Sequence, residues 1–257
     1  MITRGVRGLV VALVSVVVVA GVAPALGEAT WRPKTGRAIR WSNDRQGSVS
    51  FAVKDMRGRM HAHRAATKVP MASTLKVMFM VSYLRQNSVR DRRLRDSDRA
   101  LLAPMIRRSD NDTATRIADQ LGPRPLYRLA RKAKMRDFSY TRPWGLSQSS
   151  ARDQARFMFN LKRFIPKRHW SYARWLLAHV VSSQRWGIGR VKTPDWNKLF
   201  KGGWGSGTGA VDHQVVLLRR KNGTRVALAV MTTNSPSHGY GKRTLKGTFG
   251  RLLRKLP

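Results

Sequence analysis

The sequence of 257 residues contains no cysteine and only one glutamate, Glu28. Without cysteine the chain can form no disulfide bond, no thiolate metal site and no cysteine nucleophile. Acidic residues are few altogether, because 13 Asp and Glu stand against 51 Lys and Arg and leave a net charge of +38. A protein with this field favours anionic surroundings.

One apolar run, residues 9–22, follows Arg4 and Arg7 and precedes the small residues 23–25. This order is typical of a secretory signal peptide, which we assign to residues 1–25. An uncleaved membrane anchor is the alternative, because the run is close to the lower limit of a membrane span. We therefore expect a protein that is secreted, extracellular or associated with the cell envelope.

The basic residues are spread along the chain without the interleaved aromatic side chains of a nucleic-acid stacking surface. In "RPLYRLARKAKMR", Leu126, Leu129 and Ala130 form one helical stripe and the cations lie elsewhere, which predicts a solvated face over a core. We expect anionic envelope polymers as partners, no specific nucleic acid, and a monomer. His61 and His63 have a chelating spacing but no evident third ligand, so we expect neither metal nor cofactor.

Strand patterns occur near both ends of the chain and helical patterns lie between them. The strands are predicted at residues 47–55, 59–65, 197–205, 213–220 and 224–233, and the helices at 73–87, 98–107, 111–121, 124–134, 150–164, 170–182 and 242–256. This order predicts an α/β (α+β) fold, in which residues 26–64 and 186–257 form an antiparallel sheet lobe with flanking helices. Residues 65–185 would form an inserted all-helical lobe, with a cleft between the two.

The stretch "MASTLKVMFM" places Lys76 in the first turn of a predicted helix, where the helix dipole disfavours a positive charge. Ser73 and Lys76 are three residues apart and share one face of that helix. Burial and surrounding cations would lower the pKa of Lys76, and a neutral amine beside a hydroxyl is a general base beside a nucleophile. The alternative interpretation is a capping serine followed by a lysine that faces solvent.

A second motif, Ser109-Asp110-Asn111, leads into the amphipathic pattern of residues 111–121. A Ser or Asp helix cap is its ordinary explanation. Its position after Ser73-x-x-Lys76 makes the pair of motifs more specific than either alone. Together with a later Lys-Gly element on a predicted strand, the order resembles the penicillin-recognising serine hydrolases, the class A β-lactamases and DD-peptidases.

The resemblance extends over about residues 48–253 and implies a role for each catalytic side chain. Ser73 would attack a carbonyl and become acylated, while Lys76 would act as general base. Ser109 would relay a proton to the leaving nitrogen. Asp110 would fix the local turn rather than react.

The resemblance also implies substrate-binding residues. Asn111 would hydrogen-bond the acyl-side amide, and Lys201 would attract the terminal carboxylate of the substrate. The substrate would lie along Gly203 and Trp204, with the oxyanion between the backbone N–H groups of Ser73 and Trp204. The substrate implied is a peptidoglycan peptide or a β-lactam-like amide.

The third motif departs from the family pattern, because Gly202 stands where a hydroxyl residue is usual between Lys and Gly. One hydrogen bond to a substrate carboxylate is then missing, unless Ser206 or Thr208 replaces it.

A second departure concerns the loop glutamate with which class A β-lactamases activate the deacylating water. Glu28 is far from that loop, and residues 135–154 offer only Asp137 and Asp153, of which Asp153 fits a helix cap. Efficient penicillin turnover by the usual route is therefore not expected. Two function classes remain: an acyl-enzyme hydrolase of the cell envelope, and a non-catalytic or slow-turnover envelope-binding relative.

Overall fold

A computed structural model describes residues 1–2 and 31–257 of the chain. Residues 3–25 of the predicted signal peptide, and Glu28, lie outside the described residues. Among those described, no helix is long and apolar enough to cross a membrane.

The strands of the described chain are β1 (Ser48–Lys54), β2 (Met60–His63), β3 (Val69–Pro70), β4 (Gln148–Ser149), β5 (Asn197–Gly205), β6 (Val211–Arg219) and β7 (Arg225–Thr233). Five of them form an antiparallel sheet in the order β2-β1-β7-β6-β5. The first two strands come from one end of the chain and the last three from the other. The two short strands β3 and β4 pair with each other instead.

The helices lie on both faces of this sheet. They are α1 (Thr35–Asn43), α2 (Lys76–Leu84), α3 (Asn87–Arg90), α4 (Asp96–Ala103), α5 (Asn111–Leu121), α6 (Pro123–Lys132), α7 (Ala151–Phe159), α8 (Leu161–Phe164), α9 (Trp170–Ala178) and α10 (His238–Leu252). Helices α1 and α10 pack together on one face, while α7 packs against β1 and β7 on the other.

Four strands, β1, β5, β6 and β7, contribute side chains to two hydrophobic cores, because successive side chains alternate between the faces of the sheet. On β6, Val215 and Leu217 join the core shared with the central helices, and Val216 and Leu218 join the core beneath α1 and α10. All four are buried to 1% exposure or less. Continuous apolar strands of this kind are expected where both faces of a sheet are covered.

The observed architecture confirms the predicted fold class, an antiparallel sheet built from both ends of the chain with helices between. Helix α5 has the predicted bounds, and β5 matches residues 197–205. Helix α1 was not predicted, and β3 and β4 lie inside the segment predicted to be entirely helical. Val69 of β3 pairs with Ser149 of β4, which ties the start of that segment to the loop before α7.

Helix α2 runs through the middle of the protein, and all of its nine residues are buried. Its sequence, KVMFMVSYL, is mostly apolar, with Lys76, Ser82 and the hydroxyl of Tyr83 as the polar groups, as expected of a helix enclosed on every side. The burial of this helix is what carries the Lys76 side chain out of solvent.

Candidate active site

Ser73 lies in a tight 3-10 turn, Ala72–Leu75, that continues directly into α2. The residue before it, Ala72, has a left-handed backbone with φ of +46°. A left-handed alanine costs energy and is found most often where the surrounding structure enforces a functional geometry. Ser73 is 9% exposed, and its hydroxyl makes no hydrogen bond to the described residues, so it does not serve as a helix cap.

Lys76 is the first residue of α2 and is fully buried. Its Nζ donates to the backbone carbonyl of Ser109 at 2.5 Å and to Oδ1 of Asn111 at 2.7 Å, and lies 3.3 Å from Oγ of Ser109. Burial lowers the pKa of Lys76 to about 7, partly opposed by the charge of Asp110. An amine with this pKa is substantially neutral at physiological pH, which a general base requires.

No hydrogen bond joins Lys76 to the Ser73 hydroxyl among the described contacts. The two residues are three positions apart along one helical turn, which places their side chains on the same face. Hydrogen bonds between catalytic groups are often long in a free enzyme and shorten when substrate binds. The base role of Lys76 toward Ser73 stays a prediction.

The Ser109-Asp110-Asn111 motif forms the entry to α5. Ser109 adopts a left-handed conformation with φ of +60°, which turns the chain sharply before the helix. Oδ1 of Asp110 accepts hydrogen bonds from the backbone N–H and the hydroxyl of Thr113, both at 2.8 Å, and so caps α5. The cap interpretation and the catalytic interpretation of this motif are compatible, because Asp110 supplies the cap and its neighbours face Lys76.

Lys201 reaches the same point from β5. Its side chain is fully buried, and its Nζ donates to Oγ of Ser109 at 2.8 Å and to the carbonyl of Gly202 at 2.8 Å. Burial, and after it the charge of Lys76, lower the pKa of Lys201 well below its usual value. The Ser109 hydroxyl therefore lies between two amines whose charged forms are both disfavoured, an arrangement suited to moving a proton.

Gly203 allows β5 to touch the turn that carries Ser73. A Cβ atom at this position would lie 2.8 Å from the backbone nitrogen of Thr74, 2.9 Å from that of Ser73 and 3.0 Å from the carbonyl oxygen of Met71. Only glycine fits such an approach without displacement of backbone. The contact places the edge of β5, and with it Trp204, beside Ser73.

Gly202 is explained by a neighbouring aromatic ring. A Cβ atom there would lie 2.8 Å from two carbons of the Trp186 ring. The ring is 7% exposed and packs edge-to-face on Trp204, with ring centroids 5.8 Å apart. The hydroxyl residue usual in this motif therefore has no room, and Thr208, one suggested replacement, donates its hydroxyl to the carbonyl of Gly205 at 3.0 Å.

The loop that would carry a catalytic glutamate presents Trp144 to Lys76 instead. The Lys76 Nζ lies 5.0 Å from the centroid of the Trp144 ring, whose nitrogen donates to Thr115 at 3.1 Å. Among the described residues, no carboxylate forms a hydrogen bond or ion pair with Ser73, Lys76, Ser109 or Lys201.

Asp137 and Asp153, the two candidate replacements for that glutamate, are engaged elsewhere. Asp137 pairs with Arg152 at 2.8 Å and accepts the hydroxyl of Ser150 at 2.6 Å. Asp153 accepts the backbone N–H of Asp137 at 2.7 Å and pairs with Arg156 at 2.9 Å. These contacts hold the loop and the start of α7 together, and they leave both carboxylates structural.

His213 supports the site from behind β5. The imidazole is fully buried, and burial lowers its pKa to about 4, so it is neutral. Nδ1 accepts the backbone N–H of Thr232 at 3.1 Å, which leaves the proton on Nε2 to donate to the carbonyl of Pro70 at 2.8 Å. His213 thus ties the sheet to the chain three residues before Ser73.

Trp204 borders a cavity of about 330 Å³ at the end of β5, together with Asp212 and His238. The Trp204 and His238 rings stack with centroids 5.6 Å apart, and Nδ1 of His238 hydrogen-bonds the buried carboxylate of Asp212. Burial raises the pKa of Asp212 to about 6. A ligand aligned along β5 would reach this cavity beyond Trp204.

The chain matches the model of the Beta-lactamase enzyme family over residues 90–255. The match includes the 109–111 motif and Lys201–Trp204, whereas Ser73 and Lys76 precede it. Among curated proteins, none matches this chain in sequence.

Solved structures with the same fold are found among β-lactamases and penicillin-binding proteins. A β-lactamase from Sphaerobacter thermophilus is 18% identical with a TM-score of 0.73, covering 86% of this chain and 96% of its own. The class A β-lactamase from Mycobacterium abscessus is 18% identical with a TM-score of 0.71, covering 87% and 99%. The structure of PBP-A is 15% identical with a TM-score of 0.71, covering 88% and 97%. At these identities the structures are evidence for the fold.

Proposed function

This chain belongs to the Beta-lactamase enzyme family, and we propose that it is an active-site-serine hydrolase that reacts through an acyl-enzyme. The resemblance noted in its motifs, to the penicillin-recognising serine hydrolases, is confirmed by that membership and by the shared fold. The observation that carries the proposal is the convergence of Lys76, Ser109 and Lys201 beside the turn of Ser73.

In the proposed acylation, Ser73 Oγ attacks the carbonyl carbon of an amide, and its proton passes to the neutral Lys76 Nζ. The proton then moves through the Ser109 hydroxyl to the leaving nitrogen, while the C–N bond breaks and an ester to Ser73 remains. The backbone N–H groups of Ser73 and Trp204 would hold the oxyanion. Lys201 keeps the Ser109 hydroxyl in place through its 2.8 Å hydrogen bond.

We propose that deacylation is slow. A water molecule must be deprotonated to attack the ester. Asp110, the carboxylate whose charge acts on Lys76, is engaged as the cap of α5. Asp137 and Asp153 are held in ion pairs with arginines. The aromatic ring of Trp144 lies beside Lys76, on the loop that would carry such a carboxylate. The acyl-enzyme should therefore accumulate instead of turning over as in an efficient β-lactamase.

The substrate we propose is an amide that ends in a carboxylate, either a cell-wall peptide or a β-lactam. A PBP-A variant with a similar fold has been obtained as an acyl-enzyme with penicillin G, and we propose the same chemistry for Ser73. The carboxylate would approach Lys201, and its negative charge would raise the lowered pKa of that amine and so favour the charged form. A cell-wall substrate accords with the export signal predicted in residues 1–25.

The proposal is tested by incubation with a fluorescent penicillin and mapping of the labelled peptide. Wild-type protein should be labelled on Ser73, and Ser73→Ala should not be labelled. Ser171→Ala, an exposed serine on α9, is the matched control and should be labelled like the wild type. Release of D-alanine from a peptide ending in D-Ala-D-Ala then separates peptidase activity from simple acylation. Equal labelling of wild type and Ser73→Ala would exclude Ser73 as the nucleophile.

A non-catalytic envelope-binding relative is the second candidate, favoured by the missing hydrogen bond between Ser73 and Lys76 and by Gly202. It predicts that neither penicillin nor peptide reacts, while the protein stays bound to anionic wall polymer. That retention should fall steeply with salt and should be the same in Ser73→Ala.

A further inference from the structure

A cavity of about 440 Å³ lies between the C-terminal end of α2 and helix α6, away from the candidate active site. We call it the α2–α6 cavity. Its lining is formed by Ser82, Arg85, Gln86, Asn87, Pro125, Arg128, Leu129, Arg131 and Lys132. Four of these residues are cations and none is acidic.

The cations of α6 face outward because the helix is amphipathic. Leu126, Leu129 and Ala130 are buried in the core, whereas Arg128 and Arg131 are exposed. This arrangement is the one predicted from "RPLYRLARKAKMR". In the structure, part of this solvated face also forms one wall of the α2–α6 cavity.

Three of the four cations have no partner of their own. Arg128, Arg131 and Lys132 form no hydrogen bond or ion pair with the described residues. Arg85 donates to the carbonyl of Phe164 at 3.1 Å, which fixes its position at the opposite wall. Unpaired guanidinium groups held at a concave surface attract oxyanions, because several N–H donors can reach one ligand.

Neutral polar groups complete the lining. The exposed Asn87 carboxamide makes no hydrogen bond to the described residues. The Gln86 carboxamide already donates to the carbonyl of Tyr83 at 3.3 Å. The Ser82 hydroxyl is buried behind the lining and is not open to a ligand. The donors available to a ligand are therefore the cations and the Asn87 carboxamide.

We propose that the α2–α6 cavity binds an anion that bears phosphate groups. Four cations without a carboxylate favour a ligand with more than one negative charge. Among such ligands a phosphate group offers several charged oxygens to the guanidinium forks, which bind it in a bidentate manner. A phosphate monoester and a phosphodiester polymer share this chemistry. The site does not depend on the serine chemistry proposed above.

The test is titration of the full chain with tripolyphosphate in 0.15 M salt, followed by calorimetry and by thermal unfolding. We expect one tight site per chain. At a hundredfold excess over Kd, the Tm should rise by about 5 °C or more. Citrate, which carries fewer negative charges on its three carboxylates, should bind at least about tenfold more weakly.

The variant Arg128→Gln/Arg131→Gln should weaken tripolyphosphate binding by about tenfold or more. Arg174→Gln/Arg190→Gln is the matched control, because it also removes two exposed, unpartnered arginines but lies outside the cavity lining. Its Kd should stay within about twofold of wild type. Ser73→Ala should bind normally, so that failure of the hydrolase proposal and failure of this one are separable.

Poly(glycerol phosphate), a phosphodiester polymer, is the second arm and identifies the source of the phosphate. Binding of tripolyphosphate supports a small phosphate ester, and binding of the polymer alone, weakened by Arg128→Gln/Arg131→Gln, supports a phosphodiester polymer. The proposal is overturned if neither probe binds, if both double variants lose affinity equally, or if citrate binds as tightly as tripolyphosphate.

Discussion

The pH dependence of acylation follows from the environment of Lys76. Burial lowers the pKa of this amine to about 7, while Asp110 partly opposes the shift and Lys201 lies nearby as a second buried amine. Only the neutral amine can accept the Ser73 proton, so the rate should rise with pH through a midpoint near 7. The neutral fraction is about one tenth at pH 6 and about nine tenths at pH 8, which predicts a roughly ninefold increase.

The assay is the second-order rate constant for labelling by a fluorescent penicillin, measured from pH 5.5 to 9.5. A lysine with its usual pKa of 10.5 would instead give a rate that increases about tenfold per pH unit over this whole range. A profile of that form, with no plateau above pH 8, would refute the assignment of Lys76 as a base with a lowered pKa.

Two variants make this experiment specific. Lys76→Arg keeps the positive charge but cannot lose its proton, so labelling should be slow and should lack the midpoint near pH 7. Asp212 is a second group that titrates nearby, because burial raises its pKa to about 6. Asp212→Asn should leave the midpoint unchanged, and a shift in this variant would assign the titration to Asp212.

Three further substitutions test individual contacts, two of them beside the candidate site and one at the buried carboxylate of Asp98. Gly203→Ala forces a Cβ atom against the backbone that carries Ser73 and should lower both the Tm and the labelling rate, measured on the same sample. Gly202→Thr should lower the Tm in the wild-type background, and the decrease should be smaller when it is introduced into Trp186→Ala, because the ring occupies that space. Burial raises the pKa of Asp98, but hydrogen bonds from an arginine, a tyrosine and a backbone N–H outweigh it and bring the value to about 2. Asp98→Asn should cost about 2 kcal/mol in urea unfolding at pH 7, and the difference should disappear as the pH falls from 4 to 2.

Much of the fold could be predicted from periodicity. The alternation in residues 213–220 and 224–233 marks strands whose side chains serve two cores, and the stripe in residues 111–121 marks an amphipathic helix. Helix α1 was missed, because its sequence, TGRAIRWSN, buries only Ala38 and Ser42 and has little apolar pattern. Strands β3 and β4 were missed because two residues are too short to show a period.

The site residues that belong to short sequence motifs could be predicted, whereas features set by the packing of distant segments could not. Ser109 and Lys201 could be named from their motifs, and the structure brings both to Lys76. Gly202 is explained by Trp186, whose ring occupies the space of a side chain there. Trp144 lies beside Lys76 where the missing carboxylate is expected. Both tryptophans are in loops that are distant in sequence from the residues they contact. Nothing in their immediate sequence indicates which groups they displace.

Acylation of Ser73 followed by slow deacylation can be measured by an intact-mass time course after addition of benzylpenicillin. We expect one adduct per chain that maps to Ser73 and persists after the free drug is removed. No adduct on the wild-type chain, an adduct on another residue, or an adduct that clears as fast as it forms would contradict this expectation.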